Sequence, residues 1–548
     1  MLNRKVFVGV LAQGLLVALT VGQVIQIEDG LILGREMESR SGATFNAFLG
    51  IPFARPPIGE LRFRAPVRNE PWDGILNCTT FGPVCMQAGA GAAASEDCLH
   101  LNVFTKNLPS NQTDQLKPVI VYIHGGGFEG GSATDHGPEY LMDRDIILVT
   151  VHYRLAIFGF IAVGRADVTG NQGLKDQTLS LRWVQENIHH FGGDRNRVTI
   201  SGLSAGSFSV TAHMVSPMSQ GLFHNVIGLS GSIASQIRPE TTNTDVVMEV
   251  ARRVNCTTAT VDGMIDCLRN TSALAIAQNM RITVFPCLMF TWTPLLEEDF
   301  GQERFITEDP SVLFRSGNFS RVNAIMGITD HEFISPVAAV LYNPIATAYL
   351  NENWDSIAPI CFYFEGNEFT STEEMAEIIR ESYFPFNVID IRSFNNLNNL
   401  FADSIISYGV HKFVNLVNTF IDVYYYKFSY VGQLSFFNFP RNRPYGVHHG
   451  DDIQYVFNIA PSGAIAIPFN HPDSFVVERM TRIWEQFAWT GNPNNPADEF
   501  LEHMLWPRHN STTHWYLDIG NHLVEKNGLF LERFTVWDNF ETNSTMFG

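Results

Sequence analysis

Short runs of apolar, often β-branched residues bounded by turn formers recur at 119–123, 146–151, 198–201, 226–230 and 322–327. Each run is continuously apolar rather than alternating, which marks strands covered on both faces. Between them lie patterns of helical period. The clearest are residues 174–191 and the stripe Val476, Met480, Ile483, Trp484, Phe487, whose spacing keeps one face apolar. Buried strands alternating with amphipathic helices predict an α/β fold with a mainly parallel sheet sandwiched between helices. Residues 333–420 break the alternation and are expected to form a helical insertion over the sheet. No internal repeat, low-complexity tract or long Pro/Ser linker divides the chain, so residues 23–548 read as a single domain.

The first residues carry Arg4 and Lys5, and a mostly apolar stretch follows from Val6 to Val21, with small residues around Thr20, Val21 and Gly22. The stretch falls short of the roughly 18 unbroken apolar residues of a confident membrane span, so residues 1–22 read as a signal peptide. An uncleaved signal anchor is the competing reading. Seven N-x-Ser/Thr sequons, at Asn77, Asn111, Asn255, Asn270, Asn318, Asn510 and Asn543, agree with a secreted, extracellular protein that has no stable membrane anchor. Seven cysteines leave at least one unpaired within the chain. The short separations Cys85 to Cys98 and Cys256 to Cys267 look like two local disulfide loops, while Cys78, Cys287 and Cys361 stay unassigned. With 36 Lys and Arg against 56 Asp and Glu, the net charge of −20 argues against nucleic acid as a partner. Sequence leaves the oligomeric state open.

The run at 198–201 leads directly into Gly202-Leu203-Ser204-Ala205-Gly206, and 207–214 has helical character. A serine on a tight strand-to-helix turn needs small neighbours, because the backbone is strained and a substrate must come close; this is the nucleophile-elbow pattern. His124-Gly125-Gly126-Gly127-Phe128 follows another predicted strand. Successive glycines let amides converge on one point, as an oxyanion requires, and the expected donors are Gly126, Gly127 and Ala205. A phosphate loop is excluded, since no Gly-Lys-Ser/Thr follows.

With these motifs the chain also carries Gly50-Ile51-Pro52-Phe53-Ala54, Leu61-Arg62-Phe63, Ser95-Glu96-Asp97-Cys98-Leu99 and Phe487-Ala488-Trp489-Thr490-Gly491-Asn492-Pro493. Together they resemble the type-B carboxylesterase family, the α/β-hydrolases that include cholinesterases and insect juvenile hormone esterases, over nearly the whole chain after the leader. The resemblance implies bridges Cys85 to Cys98 and Cys256 to Cys267, and structural roles for Arg62, Glu96 and Asp97. α/β-Hydrolases order their triad as serine, acid, histidine. Gly327-Ile328-Thr329-Asp330-His331-Glu332-Phe333 resembles the acid loop and points to Glu332, with Asp330 the competitor; Phe333 stands where the family usually has glycine. Gly446-Val447-His448-His449-Gly450-Asp451-Asp452 resembles the histidine loop and selects His449 over His448. A metal site from His448, His449, Asp451 and Asp452 is disfavoured, and neither metal nor cofactor is expected.

The implied reaction is ester hydrolysis through an acyl-serine. Cholinesterases usually carry glutamate where Leu203 stands, and an aromatic between the first two bridged cysteines; residues 86–97 contain none. Without that ring a quaternary ammonium lacks its cation-π platform, so the expected partner is a small, neutral, fairly hydrophobic ester. The rival class is an inactive or slow-turnover family member used for adhesion or ligand sequestration.

Overall fold

The computed structural model describes residues 22–544 apart from 90, 111–114, 236–239, 288–289, 367–369, 437–445 and 460–465, and without the side chains of 92 and 541–544. The leader read at 1–22, save Gly22, the sequon at Asn111 and the side chain of Asn543 lie outside the described residues.

Among the described residues, eleven strands form one sheet. Their order in space is Leu523–Asn527, Trp515–Ile519, Val423–Phe428, Asn323–Thr329, Asn225–Leu229, Gly193–Leu203, Lys117–Ile123, Ile147–Val151, His100–Thr105, Thr44–Pro52 and Arg35–Glu38. The seven neighbours from Trp515–Ile519 through Ile147–Val151 pair in parallel, and antiparallel strands flank them on both sides. All five strands expected from the apolar runs are in the parallel block, because only strands covered on both faces dispense with polar alternation.

The two faces bury different cores. On Lys117–Ile123, Val119, Val121 and Ile123 join a cluster with Leu181, Val184 and Phe191, whereas Ile120 and Tyr122 join Met480, Trp484 and Phe487 on the opposite side. The first group is supplied by the helix Gln172–Asn187 and the 3-10 turn Ile188–Phe191, the second by the helix Ser474–Thr490. Residues 333–420 contain the helices Ile334–Leu341, Pro344–Glu352, Trp354–Cys361, Thr372–Tyr383, Phe394–Ala402 and Tyr408–Val417, the last two joined by one π turn. Among the described residues no helix is long and apolar enough to cross a membrane.

Register is what positions the site. Gly202 pairs with Ile123, Leu203 with Leu229, and Leu229 with Gly327. The carboxyl ends of four adjacent parallel strands are therefore nearly level, and their loops open at one edge, where open α/β sheets place their ligands.

Candidate active site

Ser204 follows the strand Gly193–Leu203 and immediately precedes the helix Ala205–Val215. Its backbone has φ 57° and ψ −123°, a conformation costly for a side-chain-bearing residue, on the order of 1–3 kcal/mol, that holds only where the surroundings dictate it. The Ser204 amide donates to the Leu229 carbonyl at 2.8 Å, and its own carbonyl accepts from Phe208 at 2.9 Å. The flanking glycines are fixed by contact. A Cβ on Gly202 would stand 2.3 Å from the Gly206 carbonyl carbon, and one on Gly206 would stand 2.1 Å from the Ile123 oxygen. At Gly231 a Cβ would come within 2.7 Å of the Ser204 carbonyl oxygen. The helix after Ser204 is buried throughout and directs its positive end toward the turn.

The glycine loop packs against this turn: a Cβ on Gly125 would lie 3.1 Å from the Ser204 Cβ. Gly126 and Gly127 have φ of 115° and 63°, and no described acceptor takes a hydrogen bond from either amide. His124, fully buried, anchors the loop. Its Nδ1 lies 2.8 Å from the Gly125 oxygen, its ring stacks on Tyr153 at 4.5 Å, and its carbonyl accepts from the Tyr153 hydroxyl at 2.9 Å. Burial pushes its imidazole down to about 4, so it stays neutral. The Phe290 ring closes the other side, 2.7 Å from where a Gly127 Cβ would be.

Glu332 is fully buried at the end of the strand Asn323–Thr329 and makes three hydrogen bonds. Oε1 accepts from the Thr329 amide at 2.7 Å and the Ser230 hydroxyl at 2.8 Å, and Oε2 lies 2.5 Å from His449 Nδ1. The loops that carry them are joined by two backbone bonds, His331 amide to Val447 oxygen at 2.9 Å and His449 amide to Glu332 oxygen at 3.3 Å. Gly450, next to His449, abuts Leu203, next to Ser204: a Cβ there would be 3.2 Å from Leu203 Cδ2. Phe333 lies parallel to the His449 imidazole, ring centroids 5.8 Å apart and planes 12° from parallel. With one ring nitrogen on a buried carboxylate, a histidine has its tautomer fixed and its other nitrogen available to take a proton.

The competing residues point elsewhere. Asp330 accepts from Lys427 Nζ at 2.9 Å. His448 Nε2 sits 3.1 Å from the Ser335 hydroxyl. Asp451 caps the His448 amide at 2.8 Å and takes the Phe436 amide at 2.8 Å, while Asp452 accepts from the Tyr426 hydroxyl at 2.7 Å. These side chains do not converge on a common point among the described residues. Burial, with Glu332 nearby, pushes the Asp452 carboxyl up to about 7. Arg62 grips Glu96 with two hydrogen bonds and three carbonyls at residues 268, 269 and 271 with a third nitrogen, a clamp rather than reactive chemistry. The Asp97 amide turns back onto Ser95.

Disulfides join Cys85 to Cys98, Cys256 to Cys267 and, in addition, Cys287 to Cys361. Cys78 is the free cysteine, with burial pushing its thiol up to about 12. The sequons at Asn77, Asn255, Asn270 and Asn318 are exposed and Asn510 is half-buried. Two residues at the site, Ser230 and Asn398, have no role in the sequence reading, and Asp452 figures there only as a metal-ligand candidate. Ser230 holds Glu332, Asn398 accepts the Phe333 amide at 3.1 Å from a buried position, and Asp452 lies behind the histidine. Ser230-Gly231 directly after an apolar strand was the local signal for the first, and Asn398 has none.

A parallel sheet with a strained serine between strand and buried helix, and with an acid and a histidine on later loops of the same edge, defines an α/β-hydrolase. Residues 21–537 match the carboxylesterase family model, and the chain belongs to that family. It is a carboxylic ester hydrolase of a family acting on small ester substrates. The chain is 34% identical to juvenile hormone esterase of Tribolium castaneum, covering 85% of this chain and 83% of that one, and 34% identical to esterase E4 of Myzus persicae, covering 87% of each. The crystal structure of juvenile hormone esterase from Manduca sexta, with OTFP covalently attached, superposes with a TM-score of 0.83 at 27% identity, covering 95% of this chain and 100% of that one.

Proposed function

We propose that the chain is a secreted serine carboxylesterase, one domain over residues 23–548 after removal of a leader, that hydrolyses neutral, fairly hydrophobic esters. The observation that carries this reading is the fully buried Glu332 carboxylate, held by two protein donors and 2.5 Å from His449 Nδ1, at the edge where Ser204 is strained. His449 takes the proton of Ser204 as its oxygen attacks the ester carbonyl. The negative oxygen that forms is met by the amides of Gly126, Gly127 and Ala205, each donor contributing on the order of 3 kcal/mol to the transition state. Glu332 keeps the imidazole in its tautomer and stabilises the imidazolium. The imidazolium returns the proton to the departing alcohol, leaving an acyl-serine. His449 then deprotonates water, which attacks the acyl carbon, and passes that proton back to Ser204.

Substrate polarity follows from what flanks the serine. Leu203 is buried and Gly450 lies against it, so the position beside Ser204 offers a cation no charge. Phe290 against the glycine loop and Phe333 beside His449 supply apolar surface. The likeness to proteins named juvenile hormone esterase supports including a lipophilic hormone ester among the substrates. Turnover of a panel of esters tests this: neutral aryl and long-chain alkyl esters should exceed choline esters at least 100-fold in kcat/KM. Preference for the choline ester would contradict the reading.

A further inference from the structure

Outside the active-site edge, one group of potential metal ligands converges among the described residues: Glu28, His189 and His190, whose ligand atoms all lie within 4.8 Å of one another. We propose that these three side chains bind a divalent transition-metal ion of the Zn²⁺ class, which staples the N-terminal hairpin to the body of the protein.

The scaffold is built for convergence. Glu28 sits in the turn between the strands Val24–Ile27 and Gly30–Leu33, whereas the two histidines occupy the 3-10 turn Ile188–Phe191 that follows the helix Gln172–Asn187. The Glu28 amide donates to Asn187 Oδ1 at 2.9 Å, so the carboxylate is tethered beside the rings by its own backbone. The tight turn sets the adjacent imidazoles side by side, with centroids 3.9 Å apart and planes tilted by 38°, so the rings turn about their side-chain torsions to aim their in-plane lone pairs at one ion. His190 Nε2 is enclosed, and its partner there is the Glu28 carboxylate, whose Oε1 stands 3.7 Å away at ion-pair rather than close hydrogen-bond distance. A metal ion between them would replace this long contact with two short bonds.

Geometry and chemistry select the ion. Ligands 2.0–2.1 Å from a tetrahedral zinc stand ~3.3 Å apart, so binding draws the exposed Glu28 and His189 side chains inward and turns both imidazoles toward the ion. Two imidazoles and one carboxylate favour Zn²⁺ or Cu²⁺ over Mg²⁺ and Ca²⁺, which prefer all-oxygen sets. The site also lies at the carboxyl end of a buried helix, where the backbone dipole favours positive charge. Since the ligands are about 160 positions apart in the chain, an ion bridging them cross-links the folded protein and stabilises it by mass action.

The test is a Zn²⁺ titration of untagged, chelator-treated full-length protein against a chromophoric competitor, with Co²⁺ absorption as a second readout. The unsubstituted protein should take up one ion more per chain than His190→Ala, with micromolar affinity. Glu28→Gln should weaken that binding at least tenfold, and Zn²⁺ should raise the melting temperature of the unsubstituted protein alone. Ester turnover without added metal is the folding control, and His189→Ala replaces His190→Ala if the latter fails it. Equal uptake by the unsubstituted protein and the histidine variants, or no uptake in the micromolar range, overturns the proposal.

Discussion

Two carboxylates compete for the role of triad acid, and their partners separate them. Glu332 is buried with Ser230, Thr329 and His449 around it, while Asp330 answers Lys427. Glu332→Gln should therefore cut kcat by about 10³–10⁴, the loss typical of removing the charge that fixes the imidazole, and Asp330→Asn should stay within tenfold. The opposite ranking in steady-state kinetics would reassign the acid. Asp452 makes a second prediction. Its folded value of about 7 lies above that of a free aspartate, so the stability it contributes is present at low pH and lost as pH rises through about 7. Asp452→Asn is neutral throughout. From pH 5 to pH 8 the melting temperature of the unsubstituted protein should fall relative to the variant, and a gap that does not move, or moves the other way, would contradict the burial argument. Sequence marks this residue as part of the histidine loop but not its raised value, because its environment is assembled from Tyr426 and Glu332, which lie on other strands and loops.

At the scale of elements, the serine turn and the glycine loop form one packed unit. A Cβ on Gly206 would stand 2.1 Å from the Ile123 carbonyl oxygen and one on Gly125 2.6 Å from the Leu203 carbonyl oxygen, both backbone atoms that cannot step aside. Gly206→Ala should cost at least ~2 kcal/mol by overpacking, read as a lowered melting temperature, with turnover falling alongside it. Unchanged stability would mean the strand and helix approach less closely than described. Strand, glycine turn and buried helix were legible because each is encoded locally, by apolar runs and by residues of special backbone freedom. The acid and histidine loops carry weaker local signals, and resemblance to a family supplied them. The Cys287 to Cys361 bridge stayed hidden, since a spacing of 74 residues says nothing of which loops meet.

Over the whole molecule, the sheet aligns loops that are far apart in sequence. Ser204 and His449 are separated by 245 positions, yet Gly450 packs on Leu203 because the strands that precede these loops share one parallel block. Alternation of buried strands and helices made that block predictable; which loops meet over it depends on strand order, and strand order is not written in any one segment. This alignment is what would make the hydroxyl of Ser204 nucleophilic. Treating the protein with a fluorophosphonate and mapping the adduct by mass spectrometry tests it most directly. Rapid labelling confined to Ser204 is expected, abolished in a folded Ser204→Ala variant together with about a 10⁶-fold loss of turnover. Labelling at another residue, or esterase activity that survives Ser204→Ala, would contradict it.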